Sequence, residues 1–208
     1  MDSELIYATR NATTTHLHQG ATLALQSKDQ VNTPGANGSP GYSTYSMLYP
    51  RDSDKRGPAR TLPSFLAQLF MAEAFAVPET RVRALEPPSG VDPERFAAYA
   101  FYVENRLDKL ALVNMQPYYA NSTSDFLVQV DLSEAIPVNG TESLHAKRLT
   151  APYVNSKNSS LASWARQSFP QGEPVGDMVI ETVGEDNVVE VRGSEAVLVF
   201  LGHDVYGL

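Results

Sequence analysis

The chain has 208 residues, 42% of them hydrophobic, with 16 basic and 24 acidic side chains and a formal net charge of −8. That balance argues against a nucleic-acid surface, which needs clustered Lys and Arg, and no window approaches the roughly 20 apolar residues of a membrane-spanning helix. There is no cysteine, so neither a disulfide framework nor a thiolate site can form.

Leu5-Ile6-Tyr7-Ala8 reads as the end of a short helix capped by Asp2 or Ser3, too short at barely two turns to stand alone. The run from Thr13 to Thr22 follows, with three β-branched threonines leading into His16-Leu17-His18-Gln19-Gly20. It predicts a strand ending at Gly20, with His16 and His18 on one side and Leu17 on the other. Helix, loop and strand make one αβ step of a barrel or a doubly wound sheet. In an α/β barrel the C-terminal strand end carries ligand contacts, which makes His18 and Gln19 candidates for lining a pocket. The plainer reading is a histidine satisfied by backbone groups. A metal site lacks support, because no cysteine or third nearby histidine completes a ligand set.

Residues 27–62 show no periodicity and are rich in Gly, Pro, Asn and Ser. A loop of this length in a compact domain is functional, disordered or misassigned. Within it, Gly41-Tyr42-Ser43-Thr44-Tyr45 offers phenol faces and hydroxyls suited to a sugar or a pocket rim, or to pinning the loop to the body. Arg51 to Arg56 reads as a solvated tip of mixed charge.

Pro63–Phe75 is the clearest helix. Proline suits its first turn, and Phe65/Leu69, Leu66/Phe70 and Met71/Phe75 repeat at helical spacing. It is apolar around much of its circumference, so it should lie buried against something large. Pro78 ends it, and the period then changes to two.

Strands are expected at 81–85, 96–103, 109–115, 126–132, 143–149, 178–183, 188–191 and 195–201, with a turn at 104–108. Eight short strands with turn signals between them point to an antiparallel β-sandwich. Gln129, Asp131, Lys147, Glu181 and Glu190 should face water, as should Asp177 and Glu195. Trp164 falls in an expected loop, 159–167. The fold class is therefore mainly β. An antiparallel β-sandwich over residues 78–208 is preceded by an incomplete α/β remnant over residues 1–77. Residues 1–60 are expected to be poorly ordered alone, and 78–202 able to fold alone.

Five of the ten asparagines, Asn11, Asn37, Asn121, Asn139 and Asn158, head an Asn-X-Ser/Thr pattern, although Ser and Thr supply only 31 of 208 residues. The excess suggests a secreted glycoprotein; Ser/Thr-rich turns that attract Asn are the alternative. Met1-Asp2-Ser3-Glu4 is acidic and lacks the apolar stretch of a signal peptide, so the expected translation start lies upstream.

Four stretches, Leu17-His18-Gln19-Gly20, Leu110 to Tyr119, Arg148 to Tyr153 and Gly193 to Leu201, resemble fungal β-glucuronidase-like enzymes of glycoside hydrolase family 79. The resemblance runs from about Leu5 to Leu201. It implies a (β/α)8 barrel followed by a β-sandwich, of which this chain would hold the last barrel strand, a long loop, the last helix and the sandwich. Such enzymes resemble retaining glycosidases with two glutamates on barrel strands four and seven, about 5–5.5 Å apart, one an acid and the other a nucleophile. Both strands would precede residue 1, so no catalytic residue is assigned. The resemblance also implies that the loop after strand eight recognises a uronate carboxylate. Gly41 and Tyr42, with His18, Gln19 and Tyr45, are the candidate contacts; no arginine is required, although Arg51 or Arg56 could serve.

The expected function is thus the C-terminal part of a secreted β-glucuronidase-like hydrolase acting on a glucuronide or uronic-acid-containing glycan. It would be inactive alone, with no cofactor, and the missing barrel could be supplied in trans. A non-catalytic β-sandwich module that binds carbohydrate or a protein is the alternative. No nucleic-acid or membrane partner is expected.

Overall fold

The computed structural model describes residues 1–14, 47–49, 60–135, 143–156 and 160–201. In chain order the elements are α1 (Asp2–Thr9), β1 (Leu48–Tyr49), β2 (Arg60–Thr61), α2 (Pro63–Ala74), β3 (Arg81–Leu85), β4 (Phe96–Val103), β5 (Arg106–Asn114), β6 (Val128–Asp131), β7 (His145–Thr150), β8 (Ser163–Trp164), β9 (Glu181–Thr182), β10 (Val188–Val191) and β11 (Glu195–Phe200), with a 3₁₀ turn at Ser133–Ala135.

The large sheet runs β3-β4-β5-β11-β7-β8, with β9 also paired to β7, and β6 and β10 form a separate two-stranded sheet. All these pairings are antiparallel. The β4–β5 hairpin turns on Glu104 and Asn105 alone, both at positive φ (50° and 63°), and Val103 pairs with Arg106. Two left-handed central residues match the right-handed twist of the flanking strands. The turn is therefore tighter than the five residues expected, and β5 begins at Arg106.

Strand side chains alternate between two apolar clusters. On one face Phe96, Ala98, Ala100, Leu110, Leu112, Val197 and Val199 meet Leu132, Val189 and Val191 of the small-sheet layer. On the other face Tyr99, Phe101, Ala111, Val113, Ala196, Leu198 and Phe200 meet Leu5 of α1 and Leu66, Phe70 and Ala74 of α2. The central strand β11 is buried at every position, which is why Ala196–Phe200 reads as an unbroken apolar run. The molecule is a β-sandwich with a helical layer against the outer face of its larger sheet.

Three polar expectations change for that reason. Lys147 does not face water; its β7 position points toward α2 and is 0% exposed. Glu195 is not solvated but buried at the start of β11, beside Arg148. Trp164 is not in a loop: it lies in β8, pairs with Leu149 of β7 and is buried. Gln129, Asp131 and Glu190 are exposed and Glu181 is half-buried, as edge positions of the sheets.

Other boundaries shift modestly. The expected strand at 178–183 is reduced to β9, and α1 starts from Met1 as its N-cap with no side-chain cap. Within the expected loop 27–62, β1 and β2 pair, and the Thr61 N–H donates to the Pro170 carbonyl (3.0 Å). Thr13 and Thr14 are exposed and have no regular structure; the rest of the expected strand to Gly20 lies outside the described residues.

Candidate functional site

Three of the stretches singled out in the sequence meet at one end of the sandwich. Asn114, the last residue of β5, donates from Nδ2 to the carbonyls of Phe126 (2.9 Å) and Val191 (3.0 Å), and its Oδ1 accepts the Gln116 N–H (3.1 Å). Ser194, at φ 64°, donates its N–H to the Asn114 carbonyl (3.0 Å). Its hydroxyl donates to the Gln116 carbonyl (3.2 Å) and accepts the Tyr118 N–H (2.9 Å). Gly193 donates to the Asp125 carbonyl (2.9 Å), and a Cβ on it would lie 2.9 Å from the Gln116 carbonyl oxygen. The loop between β5 and β6 is thereby tied down at both of its ends.

On this frame sits an aromatic patch. The rings of Tyr118 and Tyr153 lie 5.8 Å apart at 32°, and the Val154 N–H donates to the Tyr118 carbonyl (2.8 Å). The Arg192 guanidinium lies 5.0 Å from the Tyr118 ring centroid, within cation–π range. Tyr119 is 45% and Tyr153 37% exposed. Flat phenol faces beside a guanidinium match the two sides of a uronic-acid ring, its apolar C–H face and its carboxylate.

The second polar centre is buried. Glu73 of α2 is 0% exposed; one carboxylate oxygen pairs with Lys147 of β7 and the other accepts the Trp164 indole N–H (2.8 Å). Phe70 packs edge-on against Trp164 (5.3 Å between centroids), and Lys147 Nζ lies 5.6 Å from the Phe200 ring. With both oxygens occupied inside the core, Glu73 braces α2 against β7 and β8. At the other helix, the Tyr99 hydroxyl donates to Asp2; burial first, then that carboxylate, pushes the phenol well above its ordinary pKa of 10.0.

A third cluster surrounds Arg148, which contacts Glu181 (2.7 Å) and Glu195 (3.4 Å) and donates to the Glu190 carbonyl (2.7 Å). Burial opposes its charge, but the two carboxylates outweigh burial and hold its pKa above the ordinary value. Glu195 also accepts the Arg192 N–H (2.9 Å). Glu73 is thus held through both of its oxygens, and Glu195 through Oε2 by Arg148 and the Arg192 N–H. Among the described residues, no three His, Cys, Asp or Glu side chains group to hold a metal.

Residues 98–198 match the model of the "Glycosyl hydrolase family 79 C-terminal beta domain". Over these residues the chain is similar to that β-domain. A solved structure of a 4-O-α-L-rhamnosyl-β-D-glucuronidase from Fusarium oxysporum 12S, in complex with Rha-GlcA, is similar at 24% identity and a TM-score of 0.45, over 58% of this chain and 26% of that one. This chain thus spans about a quarter of that protein. No curated protein matches the chain.

The match opens within β4 and closes within β11, so the matched stretch includes the tyrosine patch, Lys147 and Trp164. It does not include α1 or α2, which deliver Asp2 and Glu73 from outside it. His18, Gln19, Gly41, Tyr42 and Tyr45 lie outside the described residues, as do Asn37, Asn139, Asn158, Arg51 and Arg56. Asn11 is exposed beyond the end of α1 at φ 63°, and Asn121 is exposed in the loop next to the tyrosine patch.

Sequence reading did not single out Tyr153, Arg192 or Glu73, and it placed Lys147 in water. Tyr118 and Tyr153 stood inside the resembling stretches, which was a usable signal. Nothing local marks Arg192 as the partner of a tyrosine 74 positions away, since that contact exists only once β5 and β11 are paired.

Proposed function

We propose that the chain serves as the C-terminal module of a β-glucuronidase-like glycoside hydrolase, bracing a catalytic (β/α)8 barrel while contributing no catalytic carboxylate of its own. The observation that carries this reading is the family 79 β-domain itself, with two helices from outside the match locked onto its sheet by Asp2–Tyr99 and Glu73–Lys147. In this reading α1 and α2 are the end of the barrel. They are fastened by polar pairs that specify registry where a purely apolar interface could slide. Residues 1–77 then form the barrel remnant and 78–208 the sandwich.

The whole enzyme would act on a glucuronide or a uronic-acid-containing glycan. Its two glutamates would lie in barrel strands four and seven, on the same polypeptide or on one acting in trans. His18, Gln19, Gly41, Tyr42 and Tyr45 would line the uronate subsite, where a backbone N–H and a phenol fix the carboxylate. The parent enzyme would be extracellular.

Chromogenic β-glucuronide hydrolysis by the purified 208-residue chain tests the first claim. No turnover above buffer is expected, because Glu73 is held by Lys147 and Trp164 and Glu195 by Arg148 and Arg192; measurable turnover would overturn it. In a barrel-containing form, Tyr42→Phe should raise KM for the glucuronide more than for the matching neutral glucoside.

One observation favours a second reading, in which the β-domain itself holds sugar: Tyr153 and Arg192 flank Tyr118 on the surface. Calorimetric titration with a glucuronic-acid disaccharide would show millimolar binding that is lost in Arg192→Met. Heats identical for both proteins would remove this reading.

A further inference from the structure

We propose that Asn121 is an N-glycosylation site built so that its first N-acetylglucosamine rests on the ring of Tyr119. Tyr119-Ala120-Asn121-Ser122 is a closed turn: the Ser122 N–H donates to the Tyr119 carbonyl (2.9 Å), and the Tyr119 N–H donates to the Ser122 hydroxyl (2.9 Å). Asn121 and the acceptor Thr123 are both exposed, and Tyr119 is the exposed aromatic two residues ahead. Of the five Asn-X-Ser/Thr patterns, this one alone has an aromatic at that position; the others carry Thr9, Gly35, Pro137 and Ser156 there.

A pyranose presents a face of C–H bonds that packs against a phenol ring, gaining apolar contact while its hydroxyls stay in water. The turn holds Tyr119 and Asn121 two residues apart, and the loop on either side of it is anchored. Tyr118 is tied to Ser194 and Val154, and the loop's far side is tied through Asp125 to Gly193 and through Phe126 to Asn114. Ordering of the turn backbone is thus largely achieved on folding, which lowers the entropy lost when the sugar docks. In the attachment step the Asn121 amide nitrogen forms a bond to the anomeric carbon of a polyisoprenyl-pyrophosphate-linked oligosaccharide. The sugar–phosphate bond breaks, the lipid pyrophosphate leaves, and the amide gives up one proton. The proposal rests on the reading that the parent protein matures in the secretory lumen.

The test expresses the full chain behind a cleavable signal sequence in a eukaryotic host, which supplies the compartment whatever the native route or activity. Peptide mass mapping reads occupancy at Asn121. The secreted protein is trimmed to one N-acetylglucosamine per site and melted beside Thr123→Ala, which removes this glycan but keeps Asn121. Loss of the sugar should lower Tm by roughly 2–4 °C, the size expected of one ring contact in a chain of this length. The same loss in a Tyr119→Leu background should cost nothing measurable, and Tyr119→Phe should behave like the parent. An unmodified Asn121, or an equal loss with and without the ring, overturns the proposal. Should Tyr119→Leu fail to fold, the proton shifts of the N-acetylglucosamine in the parent protein decide: upfield ring-current shifts are expected, and free-sugar values overturn it.

Discussion

At the scale of single residues, the most consequential feature is a lysine that alternation places in water and the fold places in the core. Lys147 and Glu73 are both buried and paired, so removing one partner strands the other charge, at a cost of about 3–5 kcal/mol. Glu73→Ala is expected to lower Tm by roughly 10 °C, whereas the double variant Glu73→Leu/Lys147→Met should recover most of that loss; scanning calorimetry checks both. Tyr99 makes a prediction in pH. Its folded pKa is raised, so the folded state keeps a proton that the unfolded state releases above about pH 10. Stability from this group is complete below pH 10 and falls as pH rises beyond it. Tyr99→Phe should cost about 1 kcal/mol at pH 7, and the gap between the two proteins should narrow between pH 10 and 11. A gap constant with pH would contradict the buried Tyr99–Asp2 contact. Sequence alone could not show either residue's role, because Lys147 and Glu73 are 74 positions apart and each is unremarkable in its own element.

At the scale of elements, strand and helix positions were largely legible. Arg81–Leu85, Phe96–Val103 and Val188–Val191 form strands with the expected bounds, and Pro63–Ala74 forms the expected helix, because β-branched and aromatic runs and helical spacing are local signals. Turns were less legible. Glu104-Asn105 carries no glycine, yet both residues take positive φ; asparagine tolerates that region, but the strands impose it on a glutamate that does so poorly. Replacing the pair by Asn-Gly should raise stability by about 0.5–1 kcal/mol, read as a higher urea midpoint with unchanged slope. The β10–β11 corner is less forgiving. Gly193→Ala would set a methyl against the backbone oxygens of Gln116 and Asp125 (2.9 and 3.2 Å); a loss of about 1–3 kcal/mol is expected, together with loosening of the Tyr118 loop.

At the scale of the whole molecule, one apolar cluster runs from α1 and α2 through the helix-facing side of the large sheet. Each large side chain there is worth roughly 1.5–3 kcal/mol of burial. A chain shortened to residues 78–208 would uncover Phe101, Leu198, Phe200 and the partner position of Lys147. It should bind a hydrophobic dye more strongly than the full chain and lose solubility, measured by fluorescence and light scattering side by side. The same cluster is what a barrel would brace against, so the stability of this layer and the proposed role of the module are one physical question.

Local chemistry in the sequence by itself determined the mainly β class, the order of strands, the helix before them and the resemblance to family 79, since periodicity, turn residues and short motifs are written in neighbouring positions. Only the tertiary structure decided which face of each strand is wet. Both faces of β11 are covered, one by β6 and β10 and the other by the helices, and that places Lys147, Trp164 and Glu195 inside. It also gathered Tyr118, Tyr153 and Arg192 on one surface. Burial and proximity between residues far apart in the chain come from strand pairing and layer packing, which no single segment specifies.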